Sequence, residues 1–99
     1  MPAIPKNPPL RDRAYLNSLH SARCIFTGAI GCDPAHISQA GQGLKSGDDE
    51  ALPVSHELHV EMHQRGEATV IRERASDSLL REMAKAYARQ LYREWLAQP

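Results

Sequence analysis

Aromatic side chains are scarce in this sequence: one Trp, three Tyr and one Phe among 99 residues. Its core must therefore be built mainly from Leu, Ile, Val, Met and Ala. Cysteine is scarcer still. Cys24 and Cys32 are too few for a disulfide framework or a four-thiolate zinc knuckle, so both are expected reduced and at least one buried. No apolar run reaches the ~18 residues of a membrane span, and the N-terminus lacks a charged-then-apolar signal layout. The chain therefore reads as cytoplasmic, with no membrane partner. An excess of charge is also missing, with 12 basic side chains against 12 acidic, which excludes the uniformly basic surface of many nucleic-acid binders.

The charge is unevenly spread. Residues 1–30 carry four basic and one acidic side chain, residues 31–70 two basic and seven acidic, and residues 71–99 six basic and four acidic. The acidic centre also holds four of the five histidines. An acidic, histidine-rich centre between basic ends suits a cation site flanked by phosphate-contacting arms, although surface charge on ordinary helices would give the same distribution.

The organisation is that of one small domain. Four prolines in residues 1–9 predict an extended arm over 1–10, leaving a single domain at 11–97. Leu10, Ala14, Tyr15 and Leu19 recur at helical spacing and predict a short helix over 11–19. A short strand or extended stretch is expected at 23–27 and short strands at 35–38 and 52–54, with a glycine-broken loop (Gly41, Gly43, Gly47) before the last. Ser55 is the expected N-cap of a helix that Gly66 stops. Residues 69–72 read as a linker or brief strand. Ser76 or Asp77 then caps a long helix over 76–96, whose apolar positions Leu80, Met83, Ala84, Tyr87, Ala88, Leu91 and Trp95 recur at three and four.

His56, His59 and His63 dominate the capped helix. At ~100° per residue they lie within about 60° of one another, with Leu58 and Met62 on the other side. Imidazoles four apart on one helical face can share a metal ion. His36 stands alone upstream, in Asp33-Pro34-Ala35-His36-Ile37.

In order, these pieces resemble the His-Asn-His (HNH) endonuclease family in its small phage and prophage form. The match runs over 23–67: Arg23-Cys24-Ile25-Phe26-Thr27-Gly28, the His36 run, Gly43-Leu44-Lys45 with Asp48-Asp49, then Leu52-Pro53-Val54-Ser55-His56-Glu57-Leu58-His59 and His63. The resemblance implies an α+β fold, the ββα-metal motif with a short N-terminal and a long C-terminal helix. It makes His36 the general base and places Asp48 or Asp49 where the family's asparagine ties the loop and orients that base. His59 and His63 become ligands of one divalent ion (magnesium, manganese, nickel or zinc), with His56 a third ligand, a phosphate contact or an exposed first-turn residue. Lys45 and Arg65 are placed against the DNA backbone.

Two positions depart from the family pattern. Many members carry four cysteines as a structural zinc site; here Cys24 stands with Thr27, Ser55 and Glu57 or Leu58 at the other places. The residue before the base is often a metal ligand, and here it is Ala35, so Asp33, His56 or water would complete the shell. The expected function is metal-dependent hydrolysis of DNA phosphodiesters with little sequence preference. A degenerate domain that binds DNA or a phage protein without catalysis is the alternative. Catalysis requires His36 to lie within one metal–water–phosphate reach of His59 and His63.

Overall fold

The computed structural model describes residues 9–37 and 46–99. It is an α+β fold of five α-helices and one two-stranded antiparallel sheet. In chain order the elements are α1 (Arg13–His20), β1 (Cys32–His36), a single 3-10 turn (Asp48–Glu50), β2 (Ala51–Ser55), α2 (His56–Arg65), α3 (Glu67–Arg74), α4 (Ser78–Glu82) and α5 (Ala84–Leu96). None of these helices is long and apolar enough to cross a membrane.

The hairpin pairs Cys32 with Ser55 and His36 with Ala51, and sets Pro34 opposite Pro53. Two facing prolines in a ladder need an explanation, because neither can donate. The ladder continues through Ile37 N–H to the Glu50 carbonyl at 2.9 Å. Odd-numbered residues of β1 therefore form the hydrogen-bonded pairs, and the prolines meet at a pair that exchanges no bonds. That phase lets β1 begin at Cys32, earlier than the strand expected at 35–38. The strand or extended stretch expected at 23–27 turns back on itself from Ile25: Gly28 N–H bonds the Cys24 carbonyl and Cys24 N–H bonds the Ala29 carbonyl, both at 2.8 Å. Its Ile25 N–H reaches the Pro53 carbonyl at 2.9 Å and so flanks the outer side of β2.

Side chains alternate along each strand. Ala35, Ile37, Leu52 and Val54 join Leu58 and Met62 of α2, Val70 and Ile71 of α3 and Leu80, Ala84 and Ala88 in one buried cluster. Ala51 faces the other way and packs with Tyr15 and Leu19 of α1, beside Tyr92 and Trp95 of α5. Three of the five aromatic rings meet there, with Tyr15 4.9 Å from Tyr92 and 5.3 Å from Trp95. Both cysteines are free and buried.

Ser55 caps α2, its hydroxyl accepting from Leu58 N–H at 3.4 Å. Gly66 ends α2 at φ 94°, a left-handed conformation that glycine adopts without strain. The expected linker at 69–72 is helical, because burying Val70 and Ile71 against α2 outweighs their strand preference. The expected long C-terminal helix is two helices. Asp77 caps α4 through Leu79 and Leu80 N–H, and Met83, at φ −138° and ψ 62°, breaks the run before α5. Met83 is correspondingly 55% exposed rather than in the apolar stripe.

Candidate functional site

Four of the five histidines fall into two clusters, one on each face of the hairpin, while His20 stands apart with its Nδ1 3.0 Å from the Cys32 carbonyl. On the α1 face, His36 ends β1 and its Nε2 lies 2.8 Å from Asp48 Oδ1. Asp48 is buried, its side chain 4% exposed, and three further contacts hold it. Its Oδ2 accepts the Asp12 backbone N–H at 2.7 Å, its Oδ1 also accepts Arg11 Nη1 at 3.2 Å, and its own N–H donates to the Leu10 carbonyl at 2.9 Å. Asp12 is held in turn. It caps α1 through Tyr15 N–H at 3.1 Å and accepts the Tyr92 hydroxyl at 2.7 Å, a bond that pushes the Tyr92 phenol up to about 12.

This arrangement fixes the chemistry of His36. Burial alone would raise the Asp48 carboxyl, but hydrogen bonds from His36, Asp12 N–H and Arg11 outweigh it and hold the group below the usual carboxylate range. An ionised carboxylate only accepts, so His36 donates from Nε2. In the neutral ring Nδ1 is then the acceptor, without a partner among the described residues, and the side chain is 37% exposed, open to a water molecule. Asp48, the loop residue expected to orient the base, is thus in contact with it. Asp49 is not the partner.

On the α2 face lie Asp33 and the helix histidines. Asp33 Oδ2 is 2.7 Å from His56 Nδ1 and 3.3 Å from His59 Nδ1, and chiefly the His56 bond holds the Asp33 carboxyl below its ordinary range. His59 Nε2 is 3.3 Å from His63 Nε2, with ring centroids 4.8 Å apart. Two nitrogens bound to one ion at 2.0–2.1 Å would lie about 2.9–3.4 Å apart at octahedral to tetrahedral angles. The His59–His63 pair fits that requirement. Among the described residues no three His, Cys, Asp or Glu side chains converge on one point as they stand. His56 is engaged with Asp33 rather than with the pair.

The expected strand pairing is present, but His36 and the His59–His63 pair stand on opposite faces of the hairpin and form no single centre as they stand. β1 and β2 do pair antiparallel, with α2 packed on them. Alternation nevertheless points His36 away from the face that carries Asp33 and Ala35. Ala35, at the position where the resemblance leads one to expect a ligand, is 2% exposed and packs in the core; a carboxylate there would be buried opposite Leu52. Arg65 is held by Glu61 at 2.7 Å and Glu73 at 2.8 Å, so a phosphate would have to displace a carboxylate to reach it. Lys45 and residues 1–8 of the expected arm lie outside the described residues.

Sequence reasoning missed Arg11, Asp12 and Tyr92 as supports of the base; Asp12 and Tyr92 are 80 residues apart, and no local pattern links them. One further group assembles beside α2. Burial would raise the Cys24 thiol, yet the Thr27 hydroxyl and the backbone N–H groups of Ser55, Phe26 and Thr27 together bring it below its ordinary value. Cys24, Thr27 and Ser55 thus meet at one place, while burial pushes the Cys32 thiol up.

No family model, curated protein or solved structure matches the chain.

Proposed function

We propose that this chain is a metal-dependent phosphodiesterase acting on DNA, an HNH-type nuclease of ββα-metal architecture. The observation that carries the reading is the His36–Asp48 pair, a histidine held by a buried carboxylate with no partner for its other ring nitrogen among the described residues, on the hairpin that leads directly into a helix bearing the His59–His63 pair. Support also comes from Cys24, Thr27 and Ser55. The resemblance places them at three positions of a lost structural zinc site, and they are neighbours.

In this mechanism Asp48 orients His36, and His36 Nδ1 accepts a proton from the water that attacks phosphorus in line. Arg11, half exposed beside Asp48, adds positive charge where the phosphate must approach. His59 and His63 are the residues that would hold a divalent ion, which would supply Lewis-acid stabilisation of charge on the phosphate and the leaving oxygen. One phosphate can be served by both clusters only if it lies across the outer edge of β1, which has no strand partner among the described residues. Contacts to the backbone alone carry no sequence information, so little sequence preference is expected.

The placement of the clusters on two faces favours one other reading, a DNA-binding domain of the same architecture without catalysis. Incubating the purified chain with plasmid and oligonucleotide DNA across magnesium, manganese, nickel and zinc separates the two. Cleavage that disappears in His36→Ala supports the nuclease, whereas binding without cleavage under every ion supports the other. A metal-soaked crystal in which His36 lies farther from the ion than a phosphate and a water can span rules out a shared centre.

A further inference from the structure

Asp33 is in contact with two of the helix histidines, and its geometry is unlike that of a ligand. A single oxygen, Oδ2, meets two ring nitrogens, His56 Nδ1 at 2.7 Å and His59 Nδ1 at 3.3 Å. The contact with His56 is shorter than the about 2.9 Å that two ligands of one ion keep at a right angle and is an ordinary hydrogen-bond length. A carboxylate cannot donate, so both Nδ1 atoms carry protons. In neutral His59 the lone pair is then on Nε2, the atom that faces His63 Nε2 at 3.3 Å. Free imidazole side chains favour the opposite arrangement, with the proton on Nε2.

We propose that Asp33 is a positioning residue that holds His59 in the tautomer able to bind a metal ion through Nε2, and that neither Asp33 nor His56 is itself a ligand. The proposal rests on the reading of His59 and His63 as the metal pair. Carboxylate–histidine–metal relays of this kind orient the ring and raise its basicity. The hairpin register supplies the placement. Asp33 lies opposite Val54, two residues before His56, so the first turn of α2 starts over its carboxylate. His56, with its side chain 75% exposed, competes with His59 for the same oxygen and weakens the relay rather than completing the metal shell.

The test combines nitrogen NMR of the metal-free chain, recorded well above the ordinary histidine pKa of about 6.5, with zinc titration calorimetry. The unmodified chain should show His59 protonated on Nδ1, and Asp33→Ala should shift it toward the Nε2-protonated form and weaken zinc binding about 10–100-fold. Asp33→Asn, whose amide oxygen still accepts, should fall between, and His56→Ala should bind zinc as tightly as the unmodified chain or more so. An Nε2 proton on His59 in the unmodified chain overturns the proposal, as does a loss in His56→Ala equal to that in Asp33→Ala. If the unmodified chain binds no zinc, the metal reading falls and takes this inference with it. If it binds zinc and Asp33→Ala binds equally well, only the role of Asp33 falls.

Discussion

The two faces of the hairpin carry histidines held in different ways. On the α1 face, His36 is tied to a buried aspartate that also receives donors from Arg11 and Asp12, so the base is braced by contacts spanning 36 and 37 residues of chain. On the α2 face, His59 and His63 are four residues apart on one helix, and a single partly exposed carboxylate serves His59 and His56. The first group is part of what holds the protein together; the second is a surface feature that local helix geometry supplies. Perturbing the first should therefore cost both stability and activity, and perturbing the second should cost binding alone.

The largest effect is expected for Asp48→Ala. It strips the acceptor from the Asp12 N–H and from His36 and frees Arg11, in a network where every buried side-chain polar atom among the described residues is satisfied. Denaturant unfolding should show a loss of about 2–4 kcal/mol, and cleavage should fall by about 10²–10⁴-fold as the base loses its orientation. Next is His36→Ala, which leaves Asp48 with its other two donors. Cleavage should again drop by about 10²–10⁴-fold, but stability should change by no more than about 1 kcal/mol, and zinc affinity should stay within error. A matching loss of zinc affinity would show that His36 is a ligand and erase the distinction between the faces.

The two faces also differ in how far the sequence reveals them. The α2 face follows local rules: a serine N-cap, histidines at helical spacing, and a glycine whose left-handed φ stops the helix at Gly66. Such signals lie within a few residues of one another and survive without tertiary information. The α1 face depends on contacts that only the finished fold creates, above all Tyr92 with Asp12, so it was visible only as far as the resemblance pairs a loop aspartate with His36. The same division explains the elements that differ from expectation. The branched residues Thr69, Val70 and Ile71 read as a strand until α2 supplies a surface to bury two of them. The break at Met83 leaves the three-and-four apolar spacing intact, so periodicity runs straight through it, and no proline or glycine marks the spot.

A smaller, more selective effect is expected on the other face. His63 is exposed, so His63→Ala should leave unfolding unchanged while weakening zinc binding by more than the about 10–100-fold typical of a lost outer-shell partner. Activity should fall only as far as the site is unfilled, and recover in part when the ion is raised. Failure to recover at saturating metal would give His63 a role in the chemical step and draw the two clusters closer than their separate faces suggest.

The smallest effect concerns pH and tests the bracing of Asp48 directly. Its carboxyl is held below the usual range in the folded chain, whereas in the unfolded chain it titrates near the ordinary value of about 3.9. A group with a depressed folded pKa contributes stability that is fully present above the unfolded value and is lost as pH falls through the folded one. Between neutral pH and about 5 the contribution should therefore be flat, and it should decline as pH falls below about 4. Each pH unit of separation between the two midpoints is worth about 1.4 kcal/mol. Asp48→Asn removes this titration but leaves an amide oxygen to accept from Asp12 N–H. Its stability should lie below that of the unmodified chain at pH about 7, and the gap should narrow as pH falls below about 4. Asp33, also depressed, titrates in both proteins and cancels from the difference. Parallel stability curves down to acid pH would mean that Asp48 is not held as a carboxylate in the folded chain, and the orientation argued for His36 would lose its support.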